Sequence, residues 1–359
     1  MSIFDSKLWI ADLDETLAVL PELEELIGKD ILITGCSGLI CSAVTDVLIR
    51  WNVTHEGKIG ILVAERDEVR VKERFSLFYD CDWFRFIPYD ASSANNNFDF
   101  SCDYIIHGAS NASPNKIIKE PVETMMSNFI GMKCLLDYAK THSTKRVLYI
   151  STSEVYGKKD HDRPSKIDEY GGIDILNPRS SYSVGKCAAE TLCASYYDEY
   201  NVDFVIVRPG HIYGPTASSF DNRVSSAWAY DAAGGKDIVM KSDGSQIRSY
   251  CYCLDCASAI LKVLLRGKSA HAYNISNPNS VISIREMAEI LADVADIDLR
   301  IESPTDKDKK GFNPMRNSSL DGKELLGLGW RGLFDASKGF SHTIDILKSF
   351  DGGSKGDNK

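Results

Sequence analysis

The chain has 359 residues, of which 43% are hydrophobic and 26% are charged, and its formal net charge is -10. This composition is ordinary for a globular protein, and the length suffices for one large core with a smaller lobe. The acidic balance argues against a nucleic-acid or membrane surface, and no apolar run approaches the ~18 residues of a membrane span.

Residues 1–29 are predicted to form a helical lead-in. Acidic residues occur among its apolar ones, which argues against a secretory signal, so we expect a cytoplasmic protein. Ten cysteines are scattered without a paired pattern, and we interpret them as reduced, buried thiols. The closest group, Cys251, Cys253 and Cys256, lacks the spacing of a zinc site, so no metal is expected.

Short apolar runs that end in turns predict buried strands in the first part of the chain. They cover residues 30–34, 60–64, 84–89, 104–107, 147–150 and 204–207. Helical patterns lie between them, at residues 42–51, 121–138 and 180–200. Because strand and helix alternate, the sequence predicts an α/β fold of Rossmann type, a doubly wound parallel sheet with helices on both faces.

The alternation fades after Pro209, and a helical pattern returns at residues 283–295. We therefore predict a dinucleotide-binding Rossmann domain over 30–209 and a smaller C-terminal substrate-binding lobe over 210–349, with segments that return to the core. Such a lobe would cover the carboxyl ends of the strands, where this class of fold binds ligands. The tail at 350–359 is rich in glycine and charge and is predicted to be disordered.

A glycine turn, Thr34-Gly-Cys-Ser-Gly-Leu-Ile-Cys41, connects the first strand to the first helix of the alternating region. Gly35 would permit the tight turn, and Gly38 would let backbone N–H groups approach a pyrophosphate at the helix N-terminus. The usual pattern has a third glycine where this chain has Cys41, a small side chain that can substitute for it.

The end of the second strand predicts which dinucleotide is bound. Glu65 would hold a ribose diol, as in NAD users, whereas Arg66 would hold a 2′-phosphate, as in NADP users. Asp90, after the third strand, is a candidate adenine contact. We favour NAD and keep NADP as the alternative.

Tyr182 and Lys186 lie one helical turn apart, about thirty residues after a cluster of hydroxyls at the end of a strand. Positions four apart share one face of a helix. A lysine ammonium would favour the phenolate, so Tyr182 would serve as a base near neutral pH. The same lysine would hold the nicotinamide ribose.

In these features the sequence resembles the extended short-chain dehydrogenase/reductases that act on nucleotide sugars, over about residues 31–330. The motifs that carry the resemblance are Thr34-Gly-x-x-Gly38, His107-Gly-Ala-Ser110, Asn128, Ser151-Thr-Ser-Glu154, Tyr182 with Lys186, Arg208-Pro-Gly-His-Ile-Tyr-Gly-Pro215, Asp221-Asn-Arg223, Gly244-Ser-Gln-Ile-Arg248, Asp255 and Leu328-Gly-Trp330. Within that family the chain looks most similar to the UDP-glucuronate decarboxylases, on the stretches His107–Pro114, Ser151–Gly157 and Asp221–Val224.

The resemblance implies an enzyme that oxidises a sugar hydroxyl transiently, with Thr152 bonded to the substrate O4 and Tyr182 taking its proton. Glu154 and Ser153 would act at C5 and C6. It also implies a nucleotide-sugar substrate and a homodimer formed by two long helices. The remaining implied contacts with the substrate are Ser113, His211, Arg223, Arg248 and Arg316, the arginines near the phosphates or the carboxylate.

The family pattern also implies a set of cofactor contacts. They are Gly35, Ser37, Gly38, Leu39, Ile40, Glu65, Arg66, Asp90, Ala109, Ser110, Asn128, Ser151, Tyr182, Lys186 and Arg208. Besides Cys41, two positions depart from the pattern. His211 stands where the family usually has asparagine, and Gly210 replaces a bulkier residue, which is expected to widen the pocket.

Three reactions share the first oxidation, and the residues after Thr152 rank them. Decarboxylation of a uronate comes first. A 4-epimerase needs only room for the 4-keto sugar to rotate and is the second candidate. A 4,6-dehydratase is third because it normally has Asp-Glu after the threonine, where this chain has Ser153 and Glu154. A dinucleotide-binding protein without catalysis is the alternative from another class, and the presence of Thr152, Tyr182 and Lys186 disfavours it.

Overall fold

The computed structural model describes residues 2–303 and 315–351 of the chain. Its strands, in chain order, are β1 Asp30–Thr34, β2 Gly60–Glu65, β3 Phe84–Pro88, β4 Tyr104–His107, β5 Arg146–Ile150, β6 Phe204–Pro209, β7 His211–Tyr213, β8 Ile238–Met240, β9 Ile247–Tyr252, β10 His271–Ile275, β11 Val281–Ser283 and β12 Leu299–Ile301.

Its α-helices are α1 Lys7–Leu17, α2 Leu39–Thr54, α3 Glu68–Arg74, α4 Pro114–Lys119, α5 Pro121–Thr141, α6 Ser181–Tyr200, α7 Val224–Ala233, α8 Cys253–Arg266, α9 Ile284–Ala295, α10 Lys323–Gly327 and α11 Ala336–Asp351. Among the helices of the described part of the chain, none has both the length and the apolar character needed to cross a membrane.

Seven strands form one sheet in the order β10-β6-β5-β4-β1-β2-β3, and every neighbouring pair is parallel. The inner strands are apolar runs that are buried on both faces, as parallel strands covered by helices must be. The predicted Rossmann-type sheet is confirmed. Its order reverses at β1, so the carboxyl ends of β1 and β4 flank the crevice where such folds bind ligands.

The regions after Pro209 form two small sheets and also complete the core. One sheet has the order β11-β9-β7, and the other pairs β12 with β8. In contrast, β10 joins the edge of the large sheet beside β6. Helix α11 packs against α7 and α9. Strand β10 therefore brings the chain back to the large sheet between the strands of the small ones.

The N-terminal segment packs against the protein rather than extending from it. Trp9 and Leu13 of α1 are fully buried, and α1 contacts α2 and α8. Asp12 accepts hydrogen bonds from the Tyr252 hydroxyl at 3.0 Å and from His342 Nδ1 at 2.8 Å. At the other end, α11 includes position 350, where a disordered tail was expected to begin. The rest of that predicted tail, 352–359, lies outside the described residues.

Candidate active site

The glycine turn follows β1 as the sequence predicts, but α2 begins at Leu39, three residues earlier than expected. Gly35 has a positive φ of 71°, and a Cβ there would lie 2.9 Å from the backbone of Ala109. Gly38 is the N-cap of α2 and makes no side-chain capping bond. The first N–H groups of the helix therefore have no side-chain cap, which is the arrangement that binds a phosphate.

Cys41 fits at the third glycine position because its neighbour directly after β4 is a glycine. Cys41 is buried, and a Cβ on Gly108 would lie 2.3 Å from its Sγ. Close packing of helix against strand is therefore kept by a glycine on the strand side. This compensation could be found from the sequence only by pairing two positions that lie far apart in the chain.

A cleft of about 960 Å³ opens beside this turn. It brings together most of the predicted cofactor residues and two of the predicted substrate residues. Those that line it are Gly35, Ser37, Gly38, Leu39, Glu65, Arg66, Asp90, Ala109, Ser110, Ser113 and Arg223. The Ser110 hydroxyl is buried and has no hydrogen-bond partner among the described residues, so it remains available to a ligand.

Glu65 lies at the position where a ribose diol would bind. Its Oε2 accepts hydrogen bonds from the Ser37 hydroxyl at 2.8 Å and from the Ser37 backbone N–H at 3.3 Å. The carboxylate is thereby held at the edge of the phosphate turn. Arg66 is exposed on the same wall of the cleft. The residues present therefore suit a dinucleotide.

Thr152 and Tyr182 meet at the carboxyl end of β5. Thr152 caps a 3-10 turn, Ser153–Tyr156, by accepting a hydrogen bond from the Glu154 N–H at 3.2 Å. Burial, and next the charge of Glu154, raise the pKa of Tyr182 to about 12, although a hydrogen bond with Thr152 lowers it. The predicted lowering of the tyrosine pKa by Lys186 is not seen in this structure.

Lys186 does not lower the pKa of Tyr182 because of the position of its ammonium group. Lys186 Nζ donates to the carbonyl oxygen of Ile150 at 2.7 Å and stands 5.9 Å from the centre of the Tyr182 ring. It is nearer to the ring of Tyr149, at 4.7 Å. Burial lowers the pKa of Lys186 to about 7. The two side chains share a helix face as predicted, but the lysine is turned towards the end of β5.

Arg179 is a site residue that was not predicted from the sequence. It lies in a 3-10 turn, Pro178–Ser180, directly before α6, and its guanidinium makes two bonds to Glu154, at 2.9 and 3.0 Å. The predicted carboxylate of the site is therefore ion-paired. The only signal in the sequence was an arginine three residues before the tyrosine, which is not specific by itself.

Arg208, predicted to bind the cofactor, has a structural role instead. All five of its side-chain N–H groups are used within the protein, by Glu190, the hydroxyls of Tyr156 and Tyr170, and the carbonyl of Ile167. The side chain is buried. An arginine with every donor engaged in this way has none left for a dinucleotide.

Tyr182 and Lys186, described above, do not line the cleft, and neither do three further predicted cofactor residues. The hydroxyl of Ser151 donates to Glu190. Asn128 is buried, donates to the carbonyl of Thr124 at 2.8 Å and accepts a bond from the Tyr149 hydroxyl at 3.3 Å. Ile40 packs against the hydrophobic core. Their predicted contacts with a cofactor are not supported by this arrangement.

Two arginines among the predicted substrate residues of the lobe, Arg223 and Arg248, act on His211. Burial, followed by the charges of Arg248 and Arg223, lowers the pKa of His211 to about 3, so both arginines lie within its electrostatic reach. Arg223 is also ion-paired with Asp221 at its own turn. Arg316 is exposed, and its carbonyl oxygen accepts a bond from Ile247 N–H at 2.8 Å. Arg248 thus lies on β9, the backbone of Arg316 lies beside that strand, and Arg223 stands directly before α7.

Gly210 does not widen the pocket. A Cβ at this position would lie 2.6 Å from the carbonyl oxygen of Ser249. The glycine therefore permits β9 to pass close to the connection between β6 and β7. The expectation of a larger substrate space at this position is wrong, because the freed volume is filled by backbone.

Comparison with known proteins places these features in one family. The model described as "NAD dependent epimerase/dehydratase family" matches residues 31–276. UDP-glucuronic acid decarboxylase 6 of Arabidopsis thaliana is 30% identical over 299 residues, which are 83% of this chain and 83% of that protein.

Solved structures share the fold at lower identity. An epimerase from Methanothermobacter thermautotrophicus superposes with a TM-score of 0.77 at 18% identity, over 94% of this chain and 98% of the other. UDP-glucuronic acid 4-epimerase from Bacillus cereus, solved with UDP-glucuronic acid and NAD, superposes with a TM-score of 0.73 at 20% identity, over 89% and 99%.

Proposed function

Because the chain belongs to the NAD dependent epimerase/dehydratase family, we propose that it converts a UDP-uronate to the decarboxylated UDP-sugar through a transient 4-keto intermediate. The observation that carries this proposal is the turn Thr152-Ser153-Glu154 placed against Tyr182 at the end of β5. The similarity to UDP-glucuronic acid decarboxylases supports it.

The chemistry needs an acid–base group and an oxyanion contact at O4 of the sugar. When bound, the nicotinamide oxidises C4 and later returns the same electrons. Tyr182 takes the proton of the 4-hydroxyl, and Thr152 holds O4. In the 4-keto uronate the C5–C6 bond then breaks, its electron pair moves to O4 as an enolate, and CO2 leaves. Tyr182 and Thr152 stabilise that enolate before C5 is protonated and O4 regains its proton.

The cleft beside the glycine turn would hold the dinucleotide, and we propose NAD rather than NADP. Glu65 is already oriented by Ser37 at 2.8 Å, in a position suited to the two hydroxyls of a ribose. A 2′-phosphate would face this carboxylate at close range, and like charges repel. Arg66 is the residue that would offset this repulsion if NADP bound.

The lobe would hold the nucleotide diphosphate. Arg223 lines the cleft, and Arg248 is buried, with Nη1 donating to the carbonyls of Ile247 and Met315. Among residues 2–303 and 315–351, no carboxylate forms an ion pair with Arg248, which suits a diphosphate. We propose that Arg223, His211 and Arg248 contact the phosphates or the sugar, with Arg316 at the outer edge.

A 4-epimerase is the second candidate, and one observation favours it. Glu154 is not a free carboxylate but is paired with Arg179, whereas epimerisation requires only Tyr182, Lys186 and Thr152. A 4,6-dehydratase is disfavoured because Ser153 cannot supply the acid that a departing hydroxyl needs.

Mass spectrometry of the products from a panel of UDP-sugars tests the proposal. The purified protein is incubated separately with UDP-glucuronate, UDP-glucose and UDP-galactose. We expect loss of CO2 from the uronate, and a loss slower by about two to four orders of magnitude in the Tyr182→Phe variant. Loss of water from a neutral sugar would instead identify a dehydratase. A change of sugar configuration without any change of mass would identify an epimerase and refute decarboxylation.

A further inference from the structure

The ion pair between Glu154 and Arg179 joins the two turns that carry the reactive groups. Glu154 lies in the turn that Thr152 caps, and Arg179 lies three residues before Tyr182. The two bonds, from Nη1 at 3.0 Å and Nη2 at 2.9 Å, form a bidentate pair. Asn177 fixes the backbone of the second turn by accepting the Arg179 N–H at 3.0 Å. The pair therefore has a defined place beside the phenol.

This pair contributes little to the stability of the fold. The side chains of Arg179 and Glu154 are 41% and 39% exposed, and ion pairs this open to solvent contribute about 0–1 kcal/mol. Both charges nevertheless reach Tyr182, since Glu154 raises its pKa and Arg179 lowers it. An ion pair that adds little to folding but borders the reactive phenol suggests a role in the reaction.

The guanidinium keeps free donors that a second carboxylate could use. Arginine has five side-chain N–H groups, and Glu154 takes two of those on Arg179. Within the described residues, Glu154 is the only carboxylate at ion-pair distance from Arg179. The remaining N–H groups have no hydrogen-bond partner in that part of the chain. A carboxylate on the sugar could therefore share this guanidinium with Glu154.

We propose that Arg179 is the specificity-determining residue for the uronate carboxylate and that Glu154 is a positioning residue that acts through it. This assignment rests on the proposed decarboxylation. With Glu154 in place, the substrate carboxylate meets a guanidinium whose charge is already balanced. Without Glu154, the same guanidinium would hold the substrate carboxylate as a full ion pair.

The direction of charge movement explains why this balance matters. When the C5–C6 bond breaks, negative charge leaves the carboxylate and appears on O4, so an ion pair at the carboxylate stabilises the ground state more than the transition state. An Arg179 that is not paired with Glu154 would therefore slow the loss of CO2. Arg179 paired with Glu154 recognises the uronate, but it stabilises the negative charge of the substrate carboxylate less strongly.

Three single variants, one double variant and one control test this assignment in the full-length protein with bound NAD. In Glu154→Gln we expect the cofactor to be reduced at nearly the wild-type rate by UDP-glucuronate, and CO2 release to fall by about ten- to a hundredfold, the range for a hydrogen bond to a charged group. In Arg179→Gln, KM for the uronate should rise about tenfold or more, with a smaller change in kcat. Arg179→Lys should restore part of the affinity, because the charge is kept and the fork is lost.

The double variant Glu154→Gln/Arg179→Gln is decisive. If Glu154 acts by balancing Arg179, removing both should release CO2 faster than Glu154→Gln alone. A double variant that is as slow as Glu154→Gln, or slower, overturns the assignment. The matched control is Arg163→Gln, which breaks another exposed ion pair, to Glu169, in the preceding loop and should leave the ratio of CO2 release to cofactor reduction unchanged.

The pH profile adds a measurement that a purely structural pair would not affect. Because the charge of Glu154 raises the pKa of Tyr182, Glu154→Gln should move the acid limb of the rate of cofactor reduction to lower pH, and Arg179→Gln should move it to higher pH. The assignment is overturned if the acid limb moves in neither variant. Failure of the proposed function has a different signature, since the wild-type protein would then release no CO2 from any uronate, and the assignment would fall with it.

Discussion

Lys186 is predicted to destabilise the folded protein at neutral pH, and its replacement by methionine should reveal by how much. Burial lowers the pKa of its ammonium from 10.5 to about 7, so the charged form is disfavoured by folding. Between these two values the unfolded chain binds a proton that the folded chain does not. Stability therefore rises with pH through this window, and the full penalty is present below about pH 7.

The size of the effect follows from the two pKa values. Their difference corresponds to about 5 kcal/mol below pH 7, an upper value for a group that is buried in the folded state. Between about pH 6 and pH 8.5 the penalty should shrink by about 2 kcal/mol. Lys186→Met removes the titrating group but also the hydrogen bond to Ile150, whose loss does not depend on pH. The pH-dependent part of the difference therefore isolates the buried charge.

Urea unfolding of wild type and Lys186→Met across this pH range measures that difference. Comparing the two proteins at each pH cancels the ionisation of the cysteines, whose pKa values are also affected by burial. The exposed Lys166→Met serves as the control for replacing a lysine by methionine. A constant difference between wild type and Lys186→Met at all pH values would refute the reasoning. Activity should be lost in this variant even if the protein becomes more stable.

Three further predictions concern the base, the glycine beside β9 and the assembly. Tyr182→Phe should lower turnover by about two to four orders of magnitude. Binding of the nucleotide sugar, measured by calorimetry, should persist. Turnover near that of the wild type would show that the tyrosine is not the base. Gly210→Ala should destabilise the protein by about 1–3 kcal/mol in urea unfolding, because its Cβ would lie 2.6 Å from the Ser249 carbonyl. Gly172→Ala, which meets nothing within 4 Å, is its control. Phe129 lies on the exposed apolar face of α5, and Phe129→Glu should convert the expected homodimer to monomers, as measured by light scattering. A wild-type protein that is already monomeric would contradict the expected homodimer.

Sequence alone determined the parts of this protein that depend on near neighbours in the chain. Apolar runs predicted six of the seven strands of the parallel sheet, all but β10, and the glycines of the turn after β1 predicted the tight turn, although the helix that follows it begins three residues before the predicted position. The four-residue spacing of Tyr182 and Lys186 placed both on α6. These features follow from local backbone preference and from hydrophobic period, which act over a few residues.

Only the tertiary structure decided how charged and crowded groups are paired. Arg179 meets Glu154 across 25 positions, and Arg208 is taken by Glu190 rather than by a cofactor. The burial that shifts the pKa of Lys186, and the backbone that fills the space at Gly210, depend on which strands and helices are packed together. A polar side chain with several suitable partners is assigned to one of them by distance and burial, and neither quantity is set by the local sequence.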